Sequence, residues 1–148
     1  CAKNILLFAK GTTEIGELGI TVGPVLYASM PRDWTVVGIP YEASINGDFC
    51  LGLPGGMVGR DMLESAAAKC PSSKIFVSGY SQGAMVAHNA VAYATNDAKG
   101  HVTGVVTFGD PFQGAKIKGY SGPIVTYCNA GDGVCTGNFE LAGSHLAY

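Results

Sequence analysis

The feature that most constrains this chain is the run Gly79-Tyr80-Ser81-Gln82-Gly83, set between two segments of opposite character. Before it, Lys74-Ile75-Phe76-Val77-Ser78 reads as a buried strand. After it, the Ala- and Met-rich stretch from Gln82 to Thr95 carries apolar residues at helical spacing. G-x-S-x-G between a strand and a helix is the signature of a sharp elbow that leaves the serine strained and exposed. The flanking glycines let strand and helix approach with no Cβ in the way. The Gln82 amide, at the helix start, then points to where an oxyanion would form on a carbonyl attacked by Ser81.

The remaining chain supplies the sheet that such an elbow needs. Ile5–Phe8, Trp34–Ile39, Val102–Phe108 and Ile124–Cys128 are further short apolar, β-branched runs. Between them lie helical patterns over Glu17–Ser29 and Met57–Lys69. Continuous apolar strands alternating with helices predict an α/β fold: a three-layer α/β/α sandwich with a central, mostly parallel five-stranded sheet. With 148 residues and neither a repeat nor a linker, a single domain over 1–148 is expected.

Charge excludes several functions. Charged residues make up 14% and the net charge is −2, with no block of like charges, so no nucleic-acid footprint is present. No apolar stretch reaches the eighteen or so residues that cross a bilayer. The chain opens on Cys1 without an apolar leader and reads as a mature or trimmed form. Its five cysteines, Cys1, Cys50, Cys70, Cys128 and Cys135, lack the paired spacing of a zinc site. Cys128 and Cys135 bracket a Gly-rich turn and would close a short loop, and two of the other three can pair. Disulfides place the chain in an oxidising compartment, with secretion the expectation.

A serine hydroxyl needs a base. His88 lies two helical turns beyond Ser81, about 10 Å along the axis, and reads as a helix-face residue. His101 precedes the fourth strand, at the wrong end of the sheet. His145, in the loop after the last strand, remains. The acid that orients it is Asp132 or Asp110, which follow the fifth and fourth strands. Asp132 is favoured, because it lies in the Cys128–Cys135 loop and gives the chain order Ser, Asp, His. Asp110, in Gly109-Asp110-Pro111, reads well as a turn residue bonded to its own backbone. A second oxyanion donor belongs in the loop after the first strand, where Thr12 offers an amide and a hydroxyl; Thr12 or Thr13 capping the first helix is an equal alternative.

The chain resembles the cutinase family of serine esterases over almost its whole length. The resemblance rests on Phe8-Ala9-Lys10-Gly11-Thr12-Thr13-Glu14, Cys70-Pro71, Gly79–Gly83, Cys128–Cys135 and His145-Leu146-Ala147-Tyr148. It implies a triad of Ser81, His145 and Asp132, a second oxyanion contact from Thr12 beside Gln82, and disulfides Cys1–Cys70 and Cys128–Cys135 with Cys50 left over. Family members continue past the histidine into a final helix, whereas this sequence stops three residues after His145. The implied activity is hydrolysis of short to medium acyl esters, including cutin-type polyesters, through an acyl-enzyme. Acetylxylan esterases share the motifs and are the alternative within the enzyme class; a hydrolase-like surface or effector protein is the alternative outside it. Phe139 and Leu141, between acid and base, either border the cleft or pack as core. No metal or organic cofactor is called for, the partner is an ester substrate that is polymeric or at an interface, and a monomer is expected.

Overall fold

In the computed structural model, which describes residues 1–136 and 143–148, the five apolar runs form five strands. These are β1 (Asn4–Ala9), β2 (Trp34–Gly38), β3 (Lys74–Tyr80), β4 (Val102–Phe108) and β5 (Ile124–Tyr127). All pair in parallel, in the order β2-β1-β3-β4-β5. The chain therefore leaves β1 towards one edge and β3 towards the other. A crevice opens where the connections diverge, at the carboxyl ends of these two strands. Thr12 follows β1 and Ser81 follows β3, so the order alone brings them to that crevice.

Strand alternation sorts the core onto two faces. Ile5, Leu7, Ala9, Ile75, Val77 and Val105 point to one side, against α3 (Leu53–Lys69) and α4 (Gln82–Tyr93). Ile75, Val77, Val105 and Leu63 are fully buried there, and each contributes about 1.5–3 kcal/mol by leaving water. Small residues bring the two helices close, with Gly56 against Asn89 and Gly59 against Ala90. On the other face, Phe8 and Tyr80 pack with Val22, Leu18 and Leu26 from the segment around α1 (Gly23–Ser29) and with Phe108 and Tyr148. Trp34 and Phe76 meet with ring centroids 4.7 Å apart.

The helices differ from expectation at their ends. The first begins at Gly23 rather than Glu17, with Pro24 in its first turn. The preceding residues instead fold as turns about Glu14, whose carboxylate accepts the amides of Gly11, Ile20 and Thr21, each at 2.8 Å. Helix α3 starts four residues early, at Leu53, because Pro54 suits a helical first turn. Helix α4 ends at Tyr93, since Ala94 turns extended and Thr95 caps a short α5 (Asn96–Gly100) by accepting from the Ala98 amide at 3.2 Å. A further short helix, α2 (Ile45–Phe49), lies ahead of α3.

Cys1 is bonded to Cys70, tying the start of the chain to the end of α3, and Cys128 is bonded to Cys135; Cys50 is free and exposed. Among the described residues, no helix is long and apolar enough to cross a membrane.

Candidate active site

The elbow is tight because its neighbours are glycines. A Cβ on Gly79 would fall on the Gly83 carbonyl, and one on Gly83 would fall on the carbonyl of Ala9. Between them Ser81 takes φ 59° and ψ −118°, a backbone state that costs on the order of 1–3 kcal/mol. The fold holds it there: the Ser81 amide donates to the Phe108 carbonyl at 3.0 Å, and its own carbonyl accepts from Ala84 at 3.0 Å. The side chain faces a cleft of about 520 Å³ that His145 and Thr12 also line. Among the described residues, Ser81 Oγ has no hydrogen-bond partner; such bonds often tighten only around a substrate.

His145 and Asp132 form a buried pair at the same corner. His145 Nδ1 lies 2.8 Å from Asp132 Oδ2, with 1% and 4% of each residue exposed. A carboxylate acceptor places the proton on Nδ1 and leaves Nε2 as the basic nitrogen. Asp132 also accepts the Tyr148 hydroxyl on Oδ2 at 2.6 Å and the Val134 amide on Oδ1 at 3.0 Å. Burial pushes the Asp132 pKa up, but the bonds from Tyr148, His145 and Val134 outweigh it and hold the carboxyl below its ordinary range. Behind the pair lies Gly109, at φ +56°, where a Cβ would stand 2.8 Å from His145 Cε1 and 3.2 Å from Asp132 Oδ2.

Thr12 joins three elements. Its hydroxyl donates to Asp48 of α2, 2.9 and 2.8 Å from the two carboxylate oxygens, and accepts from Gln82 Nε2 at 3.1 Å. Gln82 Nε2 also donates to the Ser44 carbonyl at 2.8 Å. The hydroxyl has one hydrogen, and Asp48 takes it. The amides of Thr12 and Gln82, by contrast, have no acceptor among the described residues, Gln82 because it opens a helix. Capping is excluded as the role of Thr12 and Thr13, since α1 begins ten residues beyond Thr13, at Gly23. Burial raises the Asp48 pKa, and the bonds from Thr12 and Gln82 counter it.

The other histidines stay away from Ser81. His101 follows α5 and its Nδ1 sits 2.9 Å from the Asp97 carbonyl. His88 lies on a face of α4, as read, and that face is buried, with Nε2 2.6 Å from Asp110 Oδ2. Asp110 keeps its turn role as well, accepting from the Phe112 and Gly114 amides at 2.8 and 3.0 Å. Phe139 and Leu141 lie outside the described residues. The close trio Cys128, Asp132 and Cys135 has both sulfurs in a disulfide, so it offers no thiolate to a metal.

Sequence reasoning missed Glu14, Asp48, Tyr80, Tyr148 and the His88–Asp110 pair. Tyr80 and Tyr148 stood inside the quoted motifs, three residues or fewer from a candidate catalytic group. Asp48 and Asp110 act through residues that are distant in the chain and meet only in the fold.

A parallel sheet with a strained serine elbow at its switch point and a buried His–Asp pair beside it defines an α/β-hydrolase. The Cutinase family model matches residues 1–148, and the chain belongs to that family. It is 40% identical over 152 residues to cutinase 4 of Emericella nidulans, covering the whole chain and 66% of that relative. It is 40% identical over 154 residues to cutinase CUT1 of Coprinopsis cinerea, covering the whole chain and 77% of that relative. The chain thus spans about two thirds to three quarters of these relatives' lengths. Among solved structures, a Trichoderma reesei cutinase in complex with a phosphonate inhibitor superposes with a TM-score of 0.90 at 32% identity, covering all of this chain and 70% of that one. An acetyl xylan esterase shares the fold, with a TM-score of 0.77 at 23% identity, over 99% of this chain and 90% of that one.

Proposed function

We propose that this chain is the catalytic unit of a secreted serine ester hydrolase that forms an acyl-enzyme on Ser81. The observation that carries the reading is the His145–Asp132 pair, buried and bonded at 2.8 Å, facing the cleft into which the elbow turns Ser81. His145 Nε2 takes the hydroxyl proton as Ser81 Oγ attacks the ester carbonyl. The Gln82 and Thr12 amides receive the oxyanion. The tetrahedral species collapses, His145 gives its proton to the leaving alcohol, and water then repeats the sequence on the acyl-enzyme. Asp132 holds the imidazole in the required tautomer and stabilises its charged form.

The cleft indicates the substrate class. Ile20, Ile45, Phe49 and Leu146 line it, and they are 70%, 60%, 82% and 57% exposed. An apolar lining that continues onto an exposed apolar rim fits an aliphatic acyl chain presented by a polyester or an interface. Phe139 and Leu141 are proposed as further contacts for that acyl chain. The two disulfides favour an extracellular setting. The Trichoderma reesei relative that holds a phosphonate inhibitor adds support, since a phosphonate resembles the tetrahedral species.

The test is a p-nitrophenyl alkylphosphonate followed by peptide mass mapping, with p-nitrophenyl butyrate and acetylated xylan compared as substrates. The reading expects one adduct, on Ser81, absent in Ser81→Ala, and turnover of the butyrate ester. A folded chain that takes no adduct is a hydrolase-like binding protein instead. Deacetylation of xylan with negligible butyrate turnover would replace the aliphatic substrate while keeping the chemistry.

A further inference from the structure

We propose that Tyr148 is a positioning residue for the candidate base, acting through Asp132; this rests on the Ser81–His145–Asp132 reading above. The Tyr148 hydroxyl donates to Asp132 Oδ2 at 2.6 Å, and that same oxygen faces His145 Nδ1 at 2.8 Å. The phenol oxygen in turn accepts the Asn129 amide at 2.8 Å, and Asn129 Nδ2 donates to the Ser144 carbonyl at 2.8 Å. The phenol thus stands between the acid and the segment that carries the base. Its ring is packed on three sides: edge-on to His145 at 6.1 Å and to Phe108 at 6.3 Å, and tilted against Tyr80 at 5.9 Å.

Two donors on one carboxylate oxygen share its charge. The phenol therefore weakens the pull of Asp132 on a protonated His145, and also stops the carboxylate from rotating away from Nδ1. A charge-assisted bond to a buried carboxylate is among the stronger hydrogen bonds a protein makes. Burial and the adjacent Asp132 carboxylate hold the Tyr148 phenol above its ordinary range, so it stays protonated and able to donate across the working pH. The other titratable groups at this corner are Tyr80, stacked on His145, Glu14 and Asp48 along the cleft, and the His88–Asp110 pair beside Gly109. None of these donates to Asp132 Oδ2. The neighbouring sulfurs are in the disulfide and do not titrate.

Tyr148→Phe keeps the ring and removes the donor. With p-nitrophenyl butyrate, the acid limb of kcat/KM is expected to move to higher pH by about half a unit, because an unshared carboxylate binds the imidazolium more tightly. kcat at the plateau is expected to fall about tenfold. A purely structural role would lower the melting temperature or the plateau and leave the limb in place, and that result overturns the proposal. If the variant does not fold, the alkaline tyrosine absorbance titration of wild type and Asp132→Asn replaces it. Of the seven tyrosines, Tyr148, and to a lesser degree Tyr80, should then titrate at lower pH in Asp132→Asn. Identical titrations overturn the contact. Phosphonate labelling of wild type separates the two readings. An adduct on Ser81 with an unmoved limb removes only the role of Tyr148, whereas absence of the adduct removes the underlying triad.

Discussion

Tyr80 stacks on His145, with ring centroids 5.0 Å apart and planes 24° from parallel, and donates its hydroxyl to the His145 carbonyl at 2.8 Å. One side chain thus grips both the ring and the backbone of the candidate base. Tyr80 is itself fixed as the last residue of β3, opposite Phe108 in the register and packed with Phe8 and Val22. The residue before the elbow serine therefore links the nucleophile's strand to the loop that brings the histidine.

This separates two kinds of change at Tyr80. Tyr80→Phe keeps the stack and loses one hydrogen bond, so it should cost about 0.5–1.5 kcal/mol of stability and less than tenfold in kcat/KM. Tyr80→Ala also empties a buried aromatic site and should cost roughly 3–5 kcal/mol. Urea unfolding beside butyrate kinetics checks both. Equal losses in the two variants would mean that the ring contributes nothing.

The Thr12 hydroxyl is a knot between the β1 loop, Asp48 and Gln82 rather than a free donor. Thr12→Val keeps the shape and unties it, removing the hydroxyl donor from the Asp48 carboxylate and leaving the Thr12 amide loosely placed. The expected loss is on the order of 10² in kcat, the scale of a lost oxyanion donor, with a smaller change in KM. Retention of full kcat would show that Asp48 and Gln82 do not need the hydroxyl.

The sheet was legible because its signals are local: each strand is a short apolar run, and Gly79–Gly83 declares its own turn. The geometry of the candidate site was legible where a motif carries both the residue and its neighbours: Ser81 sits at the elbow and Asp132 pairs with His145. The first helix was read too long because Glu14 organises turns with amides up to seven residues away, a contact that periodicity does not register. His88 was read as a plain helix-face residue, and its bond was missed because its partner, Asp110, comes 22 residues later and meets it only when β4 lies beside β3. Asp48 was invisible for the same reason, lying 36 residues from the hydroxyl it accepts.

The two disulfides should fail differently. Cys1–Cys70 closes a loop 69 residues apart and Cys128–Cys135 one of 7. Chain entropy assigns them about 4 and about 2.5 kcal/mol. Replacing Cys1 and Cys70 by Ser should therefore lower the melting temperature more, with butyrate turnover nearly unchanged below the transition. Replacing Cys128 and Cys135 should cost less stability and more kcat, because their loop carries Asp132. Calorimetry and kinetics on both double variants give the comparison; an activity loss confined to the Cys1–Cys70 variant would contradict it.

His88 and Asp110 form a second buried pair, and its place explains what it does. Asp110 follows Gly109, which packs against the His145 ring and the Asp132 carboxylate, and it accepts from His88 as well as from the Phe112 and Gly114 amides. Burial pushes the Asp110 pKa up, but the bonds to His88 and the two amides outweigh it and hold the carboxyl below its ordinary range. A folded pKa below the unfolded value near 3.9 means the carboxylate's contribution is fully present above that value and is lost as pH falls through the folded one. His88→Leu leaves the carboxylate buried with only its two amide donors, and should cost about 3–5 kcal/mol at pH 7. Without His88 the Asp110 pKa rises, so the variant's carboxyl protonates first and its deficit against wild type should narrow as pH drops below about 4. Thermal melts of wild type and His88→Leu at pH 7 and pH 3.5 measure that difference. A deficit equal at both would show that packing of the imidazole against Phe112, not its bond to Asp110, is what α4 supplies to this loop.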